Sequence, residues 1–97
     1  MRIEPTEEQL ARACYLRGES WLFDDQIAHE VGIDGNTLRA ALKRGMQHNA
    51  DAVYAEFARN YIVASNQVES HALLLIQQGG KDWQRAAWWL ERWAPRR

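Results

Sequence analysis

Cysteine and proline are both scarce in this sequence. One cysteine, Cys14, builds no disulfide framework within the chain, which points to a reducing compartment. Cys14 reads as a small apolar residue of a first helix rather than as a nucleophile, the usual behaviour of a free cysteine. The two prolines fall near the ends, Pro5 at the opening of a first helix and Pro95 beyond the last. Long apolar runs are also missing. The longest cluster, "ALLLI" at 72–76, is far too short to cross a bilayer, and "MRIEPTEEQL" lacks the apolar run of a signal peptide. These absences point to a chain with no membrane partner, in the cytoplasm. No alternating apolar pattern reads as a strand. Large net charge is absent too, the formal sum being -1.

Hydrophobic residues at 46% and charged residues at 26% fit a folded soluble chain and argue against disorder. At 97 residues the chain makes one small domain, or one with an extension. Its core is thin, so assembly with other copies is a common way to gain stability.

The charge is unevenly spread. Residues 1–35 hold three basic and eight acidic side chains, whereas residues 36–48 hold Arg39, Lys43 and Arg44 and no acid. That basic segment lies in "DQIAHEVGIDGNTLRAALKRG", Asp25 to Gly45, whose spacing is that of a helix, a tight turn and a second helix. Ala28 is small enough for one helix to cross another, and Gly32 tolerates the positive φ that the turn needs. Ile27, Val31, Ile33, Leu38 and Ala41 fall where both helices face a common core. A plain helical hairpin could share this spacing. The outer face of the second helix favours DNA, because it carries amide, hydroxyl and cationic groups suited to base edges and phosphates. The first residues of a recognition helix enter the major groove. Asn36, Thr37, Arg39 and Ala40 are therefore expected near bases, Lys43 and Arg44 near phosphates, and Gln47 and His48 at the rim. One such unit offers few cations and binds weakly; several copies on one DNA would raise avidity.

The predicted architecture is all-α: an N-terminal three-helix domain, 1–48, followed by a long-helix antiparallel hairpin, 49–97, used for oligomerisation. "TEEQ" at 6–9 has the form of a capping box, and Gly18 is a plausible stop. Trp21, Leu22 and Phe23 are bulky enough to plug the base of a small helical core. Asp24 or Asp25 caps the second helix and Asp34 the third, which Gly45 ends. From Asp51 to Gln78 nothing breaks a helix, giving a rod of about 40 Å. Phe57, Tyr61, Ala64, Val68, His71 and Leu75 form a heptad seam along it. "GG" at 79–80 turns the chain, Asp82 caps a last helix and Pro95 stops it.

"DWQRAAWWLERWAP" at 82–95 holds four of the five tryptophans. Trp83, Ala86, Ala87 and Leu90 can share the face towards the hairpin partner, with Trp88, Trp89 and Trp93 spread around the others. All of them could cap a thin core. The sharper reading is a subunit interface, where tryptophan is enriched and dominates the energy. Phe57, Tyr61, Val68, Leu75, Trp88, Trp89 and Trp93 are the residues expected there. A third reading uses Arg85, Arg92, Arg96 and Arg97 with the indoles to hold single-stranded nucleic acid.

A helix-turn-helix, a long helix, a short glycine turn and then "AAWWLER" together resemble the small terminase subunits of tailed bacteriophages and their prophage relatives, over about residues 6–95. The resemblance implies an N-terminal helix-turn-helix that recognises the packaging start site in viral DNA. It implies a helical hairpin that assembles subunits into a ring. It also implies recruitment and regulation of a large terminase subunit that holds the ATPase and nuclease, in the bacterial host cytoplasm. The small subunit itself has no catalytic centre and no cofactor. Members of the family commonly continue into a further C-terminal segment that helps close the ring channel and contacts the large subunit, whereas this sequence stops at Arg97, as a short variant or a truncated one; the resemblance therefore leaves the large-subunit contact and the size of the ring open.

The residues themselves do not suggest an enzyme. His29, His48 and His71 show no metal-ligand spacing, and "GGKDW" lacks the rest of a phosphate loop. Two other functions compete. One is a dimeric helix-turn-helix transcription regulator of phage or prophage origin, on half-sites about one helical turn apart. The other is a structural adaptor that uses the same helices only as a core.

Overall fold

A computed structural model describes residues 4–93, and among these every regular element is a helix. They run α1 (Glu7–Glu19), α2 (Asp24–Val31), α3 (Gly35–Gly45), α4 (Ala52–Gln78) and α5 (Trp83–Trp93). The all-α class expected from the sequence is found. No helix among the described residues is long and apolar enough to cross a membrane. Pro95, Arg96 and Arg97, and with them the expected stop of α5, lie outside the described residues.

Local chemistry sets the first three helices. Thr6 caps α1 as a full capping box: its hydroxyl accepts from the Gln9 amide at 3.1 Å while the Gln9 side chain accepts from the Thr6 amide at 2.9 Å. Gly18 does not stop α1, which continues to Glu19. It lies instead where α1 meets α4, and a Cβ there would touch Ala64. Gly32 closes α2 in the left-handed region, φ 89°, and Ile33 donates back to the Ala28 carbonyl at 2.9 Å. Asp34 caps α3 by accepting from the Thr37 amide at 2.7 Å.

The start of α2 departs from expectation. Neither Asp24 nor Asp25 caps it. Phe23 holds the N-cap position, and its amide donates to the Gln26 side chain at 2.8 Å. Both aspartates are engaged elsewhere. Gly45 is the last residue of α3, as expected, but it is not a left-handed cap: the C-cap is Met46. A Cβ at Gly45 would collide with the Tyr54 carbonyl and with Ala58, so this glycine lets α3 cross α4 closely.

α1, α3 and α5 pack on α4, and α2 packs on α1 and α3. The N-terminal half of α4 meets α1 and α3, and its C-terminal half meets α5. One core holds Leu10, Ala13, Ile27, Ala28, Leu38, Phe57 and Tyr61 among others. A second is built from Val68, Ala72, Ala86, Trp89 and Trp93, with Trp21 and Phe23 of the α1–α2 connector packed against it. The boundary expected at residue 48 falls in the α3–α4 turn, but apolar packing runs across it on both counts: the first core includes Phe57 and Tyr61, and the second reaches back to Trp21 and Phe23. The cause is the length of α4, which extends past α1 far enough to serve both clusters.

Arg17 joins the two cores. It is fully buried. Its guanidinium donates to the Asp24 carboxylate at 3.2 Å and to the Leu22 carbonyl at 2.5 Å. The Tyr61 hydroxyl donates to the same Asp24 oxygen at 2.5 Å. Burial and the hydrogen bond to the Asp24 carboxylate push the Tyr61 phenol well above its ordinary range, so it stays a donor.

Candidate functional site

The outer face of α3 is the most chemically distinct surface of the chain. Asn36, Arg39, Ala40, Lys43 and Arg44 are exposed and Thr37 is half-buried, while Leu38 and Ala41 point into the core. This division follows from helical spacing, with Leu38 and Ala41 three residues apart on the inner side. Gln47 and His48, just past the helix, are also exposed. The six positions expected at a DNA surface therefore share one helix. Thr37, Ala40, Lys43, Arg44, Gln47 and Tyr54 line a shallow groove along it.

The cations are not equally free. Arg39 donates to the Asp25 carboxylate at 2.8 Å and to the Asn36 side-chain carbonyl at 2.8 Å. Arg44 bonds Glu4 and Asp51, each at 3.1 Å, and its guanidinium lies 4.3 Å from the centre of the Tyr54 ring. The hydrogen bond to Glu4 raises the Arg44 pKa further, so it keeps its charge at any working pH. Lys43 has no ion pair among the described residues. At the helix start, the Thr37 backbone amide holds the Asp34 carboxyl below its usual range. Two acids of the negative first third, Glu4 and Asp25, thus flank the basic helix and, with Asp51, partly neutralise it.

The residues expected at a subunit interface divide differently. Phe57, Tyr61 and Val68 are buried within the chain, and so are Trp89 and Trp93. Along the α4 seam, Phe57, Tyr61, Ala64 and Val68 are covered by the chain's own α1 and α5, because both fold back onto it, while His71 is exposed. Leu75 is half-buried against the second core. Of the seven, Trp88 alone is largely open, at 52% exposure, with Arg92 stacked 4.1 Å from its ring centre.

The tryptophan helix is also rotated relative to expectation. Its buried face is Ala86, Trp89 and Trp93, and Trp83 is exposed. Trp89 stacks on Trp93 with centroids 5.1 Å apart and on Trp21 at 6.1 Å. Its indole donates to the Trp21 carbonyl at 2.7 Å, and the Trp93 indole donates to Glu69 at 3.1 Å. Two surfaces, α4 and the Trp21–Phe23 connector, sandwich α5, so the indoles of Trp89 and Trp93 point inward where a two-helix hairpin would leave them outside.

Arg17 was the residue that sequence reasoning missed. The signal was available: Leu10, Ala13 and Arg17 step by three and four, which places an arginine on the apolar stripe of α1. Cys14 is half-buried, and burial pushes its thiol up to about 11, so it is no nucleophile at neutral pH.

The chain matches no known protein family, and no curated protein or solved structure is significantly similar to it.

Proposed function

We propose that this chain is a non-catalytic DNA-binding subunit of the small-terminase kind, which recognises viral DNA at a packaging start site through α3. In this reading α2, the Gly32 turn and α3 act as a helix-turn-helix, with α3 as the recognition helix. Asn36, Thr37, Arg39 and Ala40 face bases, and Lys43 and Arg44 face phosphates. The observation that carries the reading is the exposed outer face of α3, where Arg39, Lys43 and Arg44 project from a helix whose opposite side, Leu38 and Ala41, is packed into the core.

Assembly belongs to the same proposal. With Arg39 and Arg44 already paired to carboxylates, a single copy grips a polyanion weakly. Several copies in a ring multiply the contacts. Since most of the α4 seam is occupied within the chain, the surfaces offered to a neighbour include those around Trp88 and the exposed apolar residues of α4: Val53, Ile62, Val63, Leu73 and Leu74. The large terminase subunit is the proposed catalytic partner, and the host cytoplasm the proposed place of action.

Two measurements on the full chain test this. Fluorescence anisotropy with a labelled duplex across a salt series should show binding that weakens steeply with salt, and Lys43→Ala should flatten the salt slope by about one. Light scattering should show a ring of many copies. A clean dimer would favour the transcription regulator, and no duplex binding at low salt would leave the structural adaptor.

A further inference from the structure

Arg39 is held by two acceptors on two different nitrogens. The Asp25 carboxylate takes one N–H from Nη1, and the Asn36 side-chain carbonyl takes one from Nη2, both at 2.8 Å. Two such bonds fix the plane of a guanidinium, which a single contact does not. They also settle the Asn36 amide, since a donor-only guanidinium can face only its oxygen. Asp25 comes from the first turn of α2, so the arrangement bridges the two helices on either side of the Gly32 turn.

Gly35 makes room for it. A Cβ on this first residue of α3 would collide with the Asp25 carboxylate and press against Arg39. Glycine is an unfavourable residue in a helix compared with alanine, and its φ here is an ordinary one. Its lack of a side chain is what lets Asp25 reach across the start of α3.

The contact does little for the fold. Asp25 and Arg39 are 64% and 51% exposed, and solvent-exposed ion pairs contribute little to stability. The neighbouring Asp24 carries the structural bonds, to Arg17 and Tyr61. Among the described residues, Asp25 has this single ion pair, and its partner is an arginine on the exposed basic face of α3. A guanidinium in a fixed plane suits the two acceptors that guanine presents in the major groove, O6 and N7.

On these grounds we propose that Asp25, with Gly35 giving it space and Asn36 as second acceptor, is a positioning residue that aims Arg39 at a guanine in the DNA read by α3. The inference rests on the DNA-binding reading above and adds which base is read and what holds the reader.

The test is selection of duplexes from a randomised pool by the full-length chain and by Arg39→Ala, Asp25→Ala and Gly35→Ala. Gly35→Ala keeps both charged side chains but drives the Asp25 carboxylate, and with it the end of the Arg39 side chain, out of place, so it separates positioning from charge. Circular dichroism melts identify the variants that keep the fold. The native chain should enrich guanine at one position by about tenfold. All three variants should lose that enrichment and keep the preferences elsewhere in the site. Overall retention by Asp25→Ala should not fall, because an anion has been removed. Asp25→Ala and Gly35→Ala pools that match the native pool, while Arg39→Ala differs, would overturn the positioning role. Duplexes retained with no guanine preference would overturn the inference but leave DNA binding intact. If the native chain retained no duplex at low salt, both would fall.

Discussion

The guanidinium of Arg17 lies 4.5 Å from the centre of the Trp93 ring, deep inside the protein. Arg17 belongs to α1 and Trp93 to the last turn of α5, so this contact links the two ends of the described fold. Burying an arginine is costly unless its charge is paired and its donors are used. Here Asp24, the Leu22 carbonyl and the ring face meet most of that need, although Nε finds no acceptor among the described residues.

Arg17→Ala should therefore destabilise the fold by about 3 kcal/mol, the scale for breaking a buried pair. Arg17→Met should cost clearly less, since it keeps volume against Trp93 and leaves no buried cation. Urea denaturation of both variants compares them, and equal losses would show that the charge, and not the packing, is what α5 needs.

Trp89 and Trp88 are neighbours in sequence with opposite expected effects. Trp89→Ala removes a stacked, hydrogen-bonded indole from the second core and should cost about 3–5 kcal/mol. Trp88→Ala should change stability by less than about 1 kcal/mol, because the ring is largely exposed. If this surface joins subunits, Trp88→Ala should nevertheless lower the native mass measured by light scattering.

Glu4 pairs with Arg44, and in the proposed DNA-binding role it would compete with a phosphate for that guanidinium. Glu4→Gln should leave the melting temperature unchanged and tighten duplex binding about threefold, the scale of one exposed ion pair. Anisotropy titrations at fixed salt measure this. Unchanged or weaker binding would place Arg44 outside the DNA contact.

Asp34 makes the start of α3 acid-sensitive. Its folded-state pKa is lowered, first by the Thr37 amide, so its capping contribution is complete above its unfolded value near 4 and is lost as pH falls through the lower folded value. Asp34→Ala should thus melt below the native chain at pH 7, and the gap should close as the solution is acidified through the lowered folded-state value. A gap that persisted in acid would mean that the carboxylate is not the capping group.

Much of this was legible from short stretches. The Thr6–Gln9 capping box, the Gly32 turn and the Asp34 cap formed as the residues indicated, because each depends on contacts within a few positions. The partition of α3 into a core side and an outer side followed from helical periodicity in the same way. Neither the role of Gly45 nor that of Gly35 could be read so locally. Both glycines sit where another helix or its side chain comes close, and nothing in the neighbouring residues says which.

By itself, then, the sequence determined the helices, their order, their turns and the basic outer face of α3, since these depend on local hydrogen bonds and on spacing along one element. Only the tertiary structure decided what the apolar seam of α4 would meet. The same seam can pair with a second copy or with the chain's own helices, and periodicity is blind to that choice. Here α1 and α5 both return to α4, Trp89 and Trp93 turn inward, and Arg17 is drawn between the two cores. Asp24 and Asp25, adjacent in the chain, are likewise sent to different tasks, one to the buried Arg17 and one to the exposed Arg39, because successive residues of a helix project about 100° apart.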